Sequence, residues 1–144
     1  MQRYQVVGQR LGPDGGIATT KQAELGIDTD PHGRDDLFNP AELLLAALAG
    51  CIIKGIERVA PMISFDFRGV EVIVLGERQD APPMLTSISY EIIVDTDEND
   101  RRLELLHTNV RKYGTVSNTL AAATTLTGTV KRKQTAAEGD TSRH

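Results

Sequence analysis

The chain has 144 residues, with 16 Lys and Arg against 20 Asp and Glu for a net charge of −4, and a single cysteine. That length fits one domain around one core. Charges of both signs are mixed along the sequence with no basic stripe, so no nucleic-acid partner is expected. The longest uncharged apolar run, residues 43–53, falls well short of the roughly 20 residues that cross a bilayer, so no membrane span is expected either. The N-terminus carries no apolar stretch of secretory length, and one unpaired thiol suits a reducing compartment; both point to a cytoplasmic protein.

Tyr4, Val6 and Val7 open a first strand that should end near Gly12-Pro13-Asp14-Gly15-Gly16, where glycines supply positive φ and proline presets a turn. Residues 17–20 and 22–27 form the next two strands. The polar segment from Asp28 to Asp36 has no period of two or 3.6 and is expected to be a surface loop, the kind of segment that often carries function. Asn39 then offers a helix N-cap, Pro40 suits the first helical position, and Glu42 falls where its carboxylate reaches back to the cap. This helix should run to about Val59, because Pro61 cannot continue it and Ala60 is pushed toward extended geometry. Its middle is apolar on every side, which requires enclosure by a sheet and by another element or subunit. Leu44, Ala47, Leu48, Cys51 and Gly55 share one face of it.

Val70, Val72 and Val74, then Ile88, Tyr90, Ile92 and Val94, alternate as two strands joined through Ala81-Pro82-Pro83. Asp97 or its neighbour should cap a second helix in which Leu103, Leu106, Val110 and Tyr113 follow helical spacing, with Gly114 as its C-terminal stop. Ser117 is placed to cap a short helix through Ala122, ahead of a last strand over residues 126–131. Residues 1–133 are expected to form a single domain, followed by a polar, disordered tail over residues 134–144.

The thiol of Cys51 cannot make an intrachain disulfide, so it is either a small apolar residue in a core or a nucleophile that works with an external partner. His32 and His107 stand far apart, with no cysteine or carboxylate at ligand spacing; no metal is expected. The glycines of residues 12–16 have neither a phosphate-loop lysine nor the spacing of a dinucleotide fingerprint, so the turn reading stands and no cofactor is expected. Thr115, Ser117 and Asn118 are further hydrogen-bonding candidates.

The segment Asn39-Pro40-Ala41-Glu42-Leu43-Leu44-Leu45-Ala46-Ala47-Leu48-Ala49-Gly50-Cys51 resembles the central helix of the OsmC/Ohr family of osmotically induced and organic-hydroperoxide-resistance proteins, and Tyr113-Gly114-Thr115-Val116-Ser117-Asn118-Thr119-Leu120 resembles that family's second motif. The resemblance covers residues 1–131 in element order. It implies an α+β fold with antiparallel sheets around a buried central helix, and an intertwined homodimer with its sites at the subunit interface. It also implies peroxiredoxin-like thiol chemistry of the oxidative stress response. The cysteine at the position of Cys51 attacks the peroxide and becomes sulfenic acid, a second cysteine resolves it, and an external dithiol reduces the disulfide.

Gly114 stands where the family has the second cysteine, so the two-cysteine cycle does not carry over. The family's arginine near the first hairpin is also missing, since Gly15-Gly16 is followed by Ile17; Arg34 and Arg10 are the candidate substitutes. Counting back from Cys51, the glutamate of the organic-hydroperoxide subgroup aligns with Ala41, whereas Glu42 matches the broader OsmC-like branch. For Glu42 the capping and catalytic readings both stand. The expected catalytic set is Cys51 with Glu42 and Arg34, in a one-cysteine organic hydroperoxide reductase served by an external thiol reductant. The alternative is a non-catalytic protein that binds an apolar small molecule in the dimer-interface pocket.

Overall fold

The computed structural model describes residues 1–134. The expectation for the tail falls outside them from residue 135 onward. Contacts divide the chain into two compact units, Met1–Leu44 and Leu45–His144.

The first unit is a meander of three antiparallel strands, β1 (Val7–Gly12), β2 (Gly15–Thr20) and β3 (Ala23–Ile27). Pairing of Gly12 with Gly15 leaves Pro13 and Asp14 as the connection, as the turn formers there predict. The second turn runs through Lys21, whose φ of 52° lies in the left-handed region. β1 opens at Val7 rather than Tyr4. The loop after β3 is organised by one acid: the 5 % exposed Asp28 accepts hydrogen bonds from the backbone N–H groups of Asp30 (3.0 Å) and Arg34 (2.9 Å), and its own N–H bonds to the Phe38 carbonyl. A short carboxylate side chain that bonds the backbone two residues on is the usual device for folding such a turn.

Helix α1 (Pro40–Met62) starts in the first unit and continues into the second. Its start is the reciprocal cap read from the sequence: the Glu42 N–H donates to Asn39 Oδ1 (2.8 Å) and the Asn39 N–H to Glu42 Oε1 (2.9 Å). The end differs from the expected stop at Val59. Pro61 lies within the last turn, where its missing N–H forfeits one bond, and the ladder resumes beyond it with Ile63 N–H to Val59 O. The true terminator is Ser64, at a φ of 53°. Phe65 N–H bonds back to Ala60 O and Ser64 N–H to Pro61 O, the paired bonds of a Schellman motif with serine where glycine is commonest.

In the second unit, β4 (Gly69–Asp80) and β5 (Pro83–Asp95) form a long antiparallel hairpin that turns at Ala81-Pro82. Helix α2 (Asp100–Tyr113) follows, capped by Asn99 through the Arg102 N–H rather than by Asp97. Helix α3 (Thr115–Ala123) comes next and leads to β6 (Thr125–Arg132). β6 pairs with β5 in parallel, which corrects the expectation of wholly antiparallel sheets. Two helices carry the chain back along the sheet, so it re-enters in the direction of β5, as a crossover connection must. Buried residues of α1 at helical spacing, Leu48, Ile52, Ile56 and Val59, share the core with alternate residues of β5, Ile88, Tyr90, Ile92 and Val94, and with Leu103, Leu106 and Val110 of α2. The α+β assignment therefore stands, with a mixed second sheet. Among the described residues no helix is long and apolar enough to cross a membrane.

Candidate functional site

Cys51 lies one turn beyond the fully buried Leu48 on α1, at the edge of the core stripe; it is a free cysteine and the residue is half-buried. One turn further on, Gly55 lets α2 come close: a Cβ there would stand 3.0 Å from Cγ1 of Val110. That approach brings the end of α2 alongside the thiol. Gly114 ends α2 and begins α3 with φ −81° and ψ 118°, an extended conformation open to any residue. Gly114 is thus the C-terminal stop expected from the sequence, but not for want of a left-handed residue. The reason is space, because a Cβ on Gly114 would lie 2.9 Å from Ser117 Oγ and 3.2 Å from Cys51 Sγ.

Ser117, read as a helix cap, is instead the third residue of α3 and is 1 % exposed. Its hydroxyl and the Cys51 thiol thus flank the same point beside Gly114. Gly114 is the N-cap of α3 and gives no side-chain cap, so the helix end at which negative charge is favoured begins next to Cys51. Thr115 and Asn118, also on this segment, are exposed; Asn118 Nδ2 donates to the Lys112 carbonyl. Sequence spacing gave no sign that the Ser117 side chain turns inward. The one available hint was a glycine in a helix junction with no turn to make.

Arg34 and Glu42 belong to the first unit. The guanidinium of Arg34 forks onto Asp36, with Nη2 to Oδ2 at 2.7 Å and Nε to Oδ1 at 2.9 Å, and Nη1 donates to the Asp14 carbonyl at 3.3 Å. The hydrogen bonding between the two side chains raises the Arg34 pKa and lowers that of Asp36. Glu42 makes the cap already described. Arg10 is an exposed β1 residue at a strand irregularity. Among the described residues, no group of three or more His, Cys, Asp or Glu side chains is arranged to hold a metal.

Residues 33–128 match the family model described as OsmC-like protein. The chain belongs to the OsmC-like family. Curated proteins give no match. Among solved structures it resembles an OsmC-like protein from Mycoplasma pneumoniae, at TM-score 0.81 and 20 % identity over 92 % of this chain and 96 % of that one. It also resembles an organic hydroperoxide resistance protein OsmC from Legionella pneumophila, at TM-score 0.74 and 20 % identity over 91 % and 99 % of the two chains. A third similar structure is the organic hydroperoxide resistance protein OhrB of Bacillus subtilis, at TM-score 0.64 and 18 % identity over 90 % and 98 %. At these identities the likeness is one of fold.

Proposed function

We propose that this OsmC-like protein is a one-cysteine, thiol-dependent organic hydroperoxide reductase with Cys51 as its nucleophile. The observation that carries this reading is the approach of position 114 to the thiol, 3.2 Å from a Cβ built there to Sγ. The second motif thus stands where a resolving residue would have to be, with glycine in its place. The Cys51 thiolate attacks one peroxide oxygen, the O–O bond breaks, and the organic half leaves as an alkoxide that takes up a proton. The sulfenic acid then condenses with an external thiol, releasing water, and a second equivalent of that thiol frees Cys51 and leaves as a disulfide. Arg34 and Glu42 remain proposed helpers of this chemistry.

The working unit in this reading is a homodimer. Leu44 is 41 % exposed and Ile53 is 39 % exposed on α1, apolar surface of the kind a second copy would cover. Sedimentation equilibrium at low micromolar concentration should show no folded monomer. For the chemistry, one equivalent of cumene hydroperoxide should yield Cys51 sulfenic acid trappable by dimedone, and turnover should require added thiol. Cys51→Ser should abolish consumption. Equal, slow consumption by wild type and Cys51→Ser with several thiols supplied would refute the peroxidase and leave a binding protein for an apolar small molecule.

A further inference from the structure

A polar cluster outside the Cys51 site joins three elements of the second unit. Tyr90 on β5 and Gly128 on β6 are register partners across the parallel pair. A Cβ on Gly128 would fall far inside contact distance of Tyr90 Cζ, Cε1 and Cε2, so the ring lies flat over the glycine backbone. That placement carries the Tyr90 hydroxyl across to α2. There it meets His107 Nε2 at 2.6 Å, with the two rings edge to face at 5.6 Å between centroids. Arg111, one turn after His107, sends Nη1 to the same hydroxyl oxygen (3.4 Å) and Nη2 to the Leu126 carbonyl on β6 (3.1 Å).

The direction of the protons follows from what each group is able to do. A guanidinium only donates, so the Tyr90 oxygen accepts from Arg111, and the hydroxyl's own proton is free to go to His107. With that proton on the bond, Nε2 is bare and His107 is neutral with its proton on Nδ1. A second proton on the ring would turn Nε2 into a donor, leaving two cations aimed at one phenol oxygen. We propose that Tyr90, His107 and Arg111 form a pH-sensitive latch that fastens α2 to β5 and β6, and that protonation of His107 opens it and alters the Cys51 site. The route is short, because Gly114, where an added Cβ would stand 3.2 Å from the Cys51 thiol, comes three residues after Arg111.

The two nearest charges oppose each other, and burial sets the direction. Burial lowers the His107 pKa from 6.5, Glu104 opposes this from the preceding turn, and Arg111 adds to it. β5 brings only Tyr90 to the ring, and β6 brings the Leu126 carbonyl. α3 holds no ionisable residue, and Lys54, Glu57 and Arg58 of α1 are exposed. With the folded value depressed, the unfolded chain takes up the proton first. The stability contribution is therefore present above about 6.5 and is lost as pH falls through the folded value.

The test uses the whole protein and does not depend on the peroxidase reading. Ring-nitrogen shifts of His107, followed by NMR from pH 8 to 5, should show the Nδ1–H tautomer and a midpoint below 6.5; an Nε2–H tautomer or a midpoint at or above 6.5 overturns the latch. His107→Gln keeps an acceptor for Tyr90 but no titration, so its urea midpoint should fall by less than about half as much between pH 7.5 and 5.5 as that of wild type. Alkylation of Cys51 by iodoacetamide reads the coupling. The wild-type rate divided by the His107→Gln rate should shift about twofold or more over that range, since thiolate ionisation common to both cancels. A ratio that stays constant severs the latch from Cys51 and overturns that half of the proposal.

Discussion

Replacing Gly114 by cysteine should let this chain form a disulfide with Cys51 without rearranging its helices. Across a disulfide the Cβ of one cysteine and the sulfur of the other lie about 3.0 Å apart, as the S–S length and the angle at sulfur require. The structure already provides 3.2 Å between a Cβ at position 114 and Cys51 Sγ, so bond formation needs only a few tenths of an ångström. Reduced Gly114→Cys should be less stable than wild type by about 1–3 kcal/mol, because the new Cβ presses on Ser117 Oγ at 2.9 Å in a packed site. Oxidation closes a loop of roughly 60 residues, for which chain entropy alone gives about 4 kcal/mol of stabilisation. The oxidised form should therefore resist urea better than the reduced form, by a few kcal/mol. Mild peroxide followed by intact-mass measurement should show the loss of two hydrogens and no free thiol, with the chain still running singly on a non-reducing gel. A folded variant that keeps both thiols free after such treatment would refute the placement of position 114 against Cys51.

Gly128→Ala should cost about 2–4 kcal/mol in urea unfolding, since the Tyr90 ring must leave its seat and its bond to His107 is lost; a change under about 0.5 kcal/mol would mean that the ring has another place to go. Ser64→Gly, at the left-handed end of α1, should stabilise the chain by roughly 0.5 kcal/mol because glycine adopts that conformation freely, and thermal melting that shows a loss would refute this. Asn39→Ala should cost about 1 kcal/mol by removing the cap of α1. Comparison with Asn39→Gly, which should lose only a few tenths of that unit, separates the cap from general damage.

Local chemistry explains which parts of this structure were legible in the sequence. Asn39, Pro40 and Glu42 announce the start of α1 because a capping box is made of neighbours, and the bonds found are those the spacing implies. The far end differs from the expected one because a proline in a last turn does not stop a helix, while the decisive Ser64 carries no compositional signal for a left-handed residue. β4 and β5 show in their alternation, but alternation says nothing about strand direction, so the parallel β6 could come only from the structure. At the site, the motif resemblance paired position 114 with Cys51, and the structure places them together. The inward Ser117 and the seat of Tyr90 on Gly128 depend on packing between residues remote in sequence, where no local rule reaches.

The parallel pairing of β6 also bears on the order in which the second unit assembles. β4 and β5 meet across a tight turn, whereas Ser87 meets Thr125 only after α2 and α3 have closed a long crossover, so the entropy of that closure must be met before any β5–β6 bond offsets it. The hairpin is then an early event and the docking of β6 a late one. Substitutions at Gly128 should accordingly leave the folding rate nearly unchanged and speed unfolding, which makes the seam between β5 and β6 the place where the lifetime of the native state is decided.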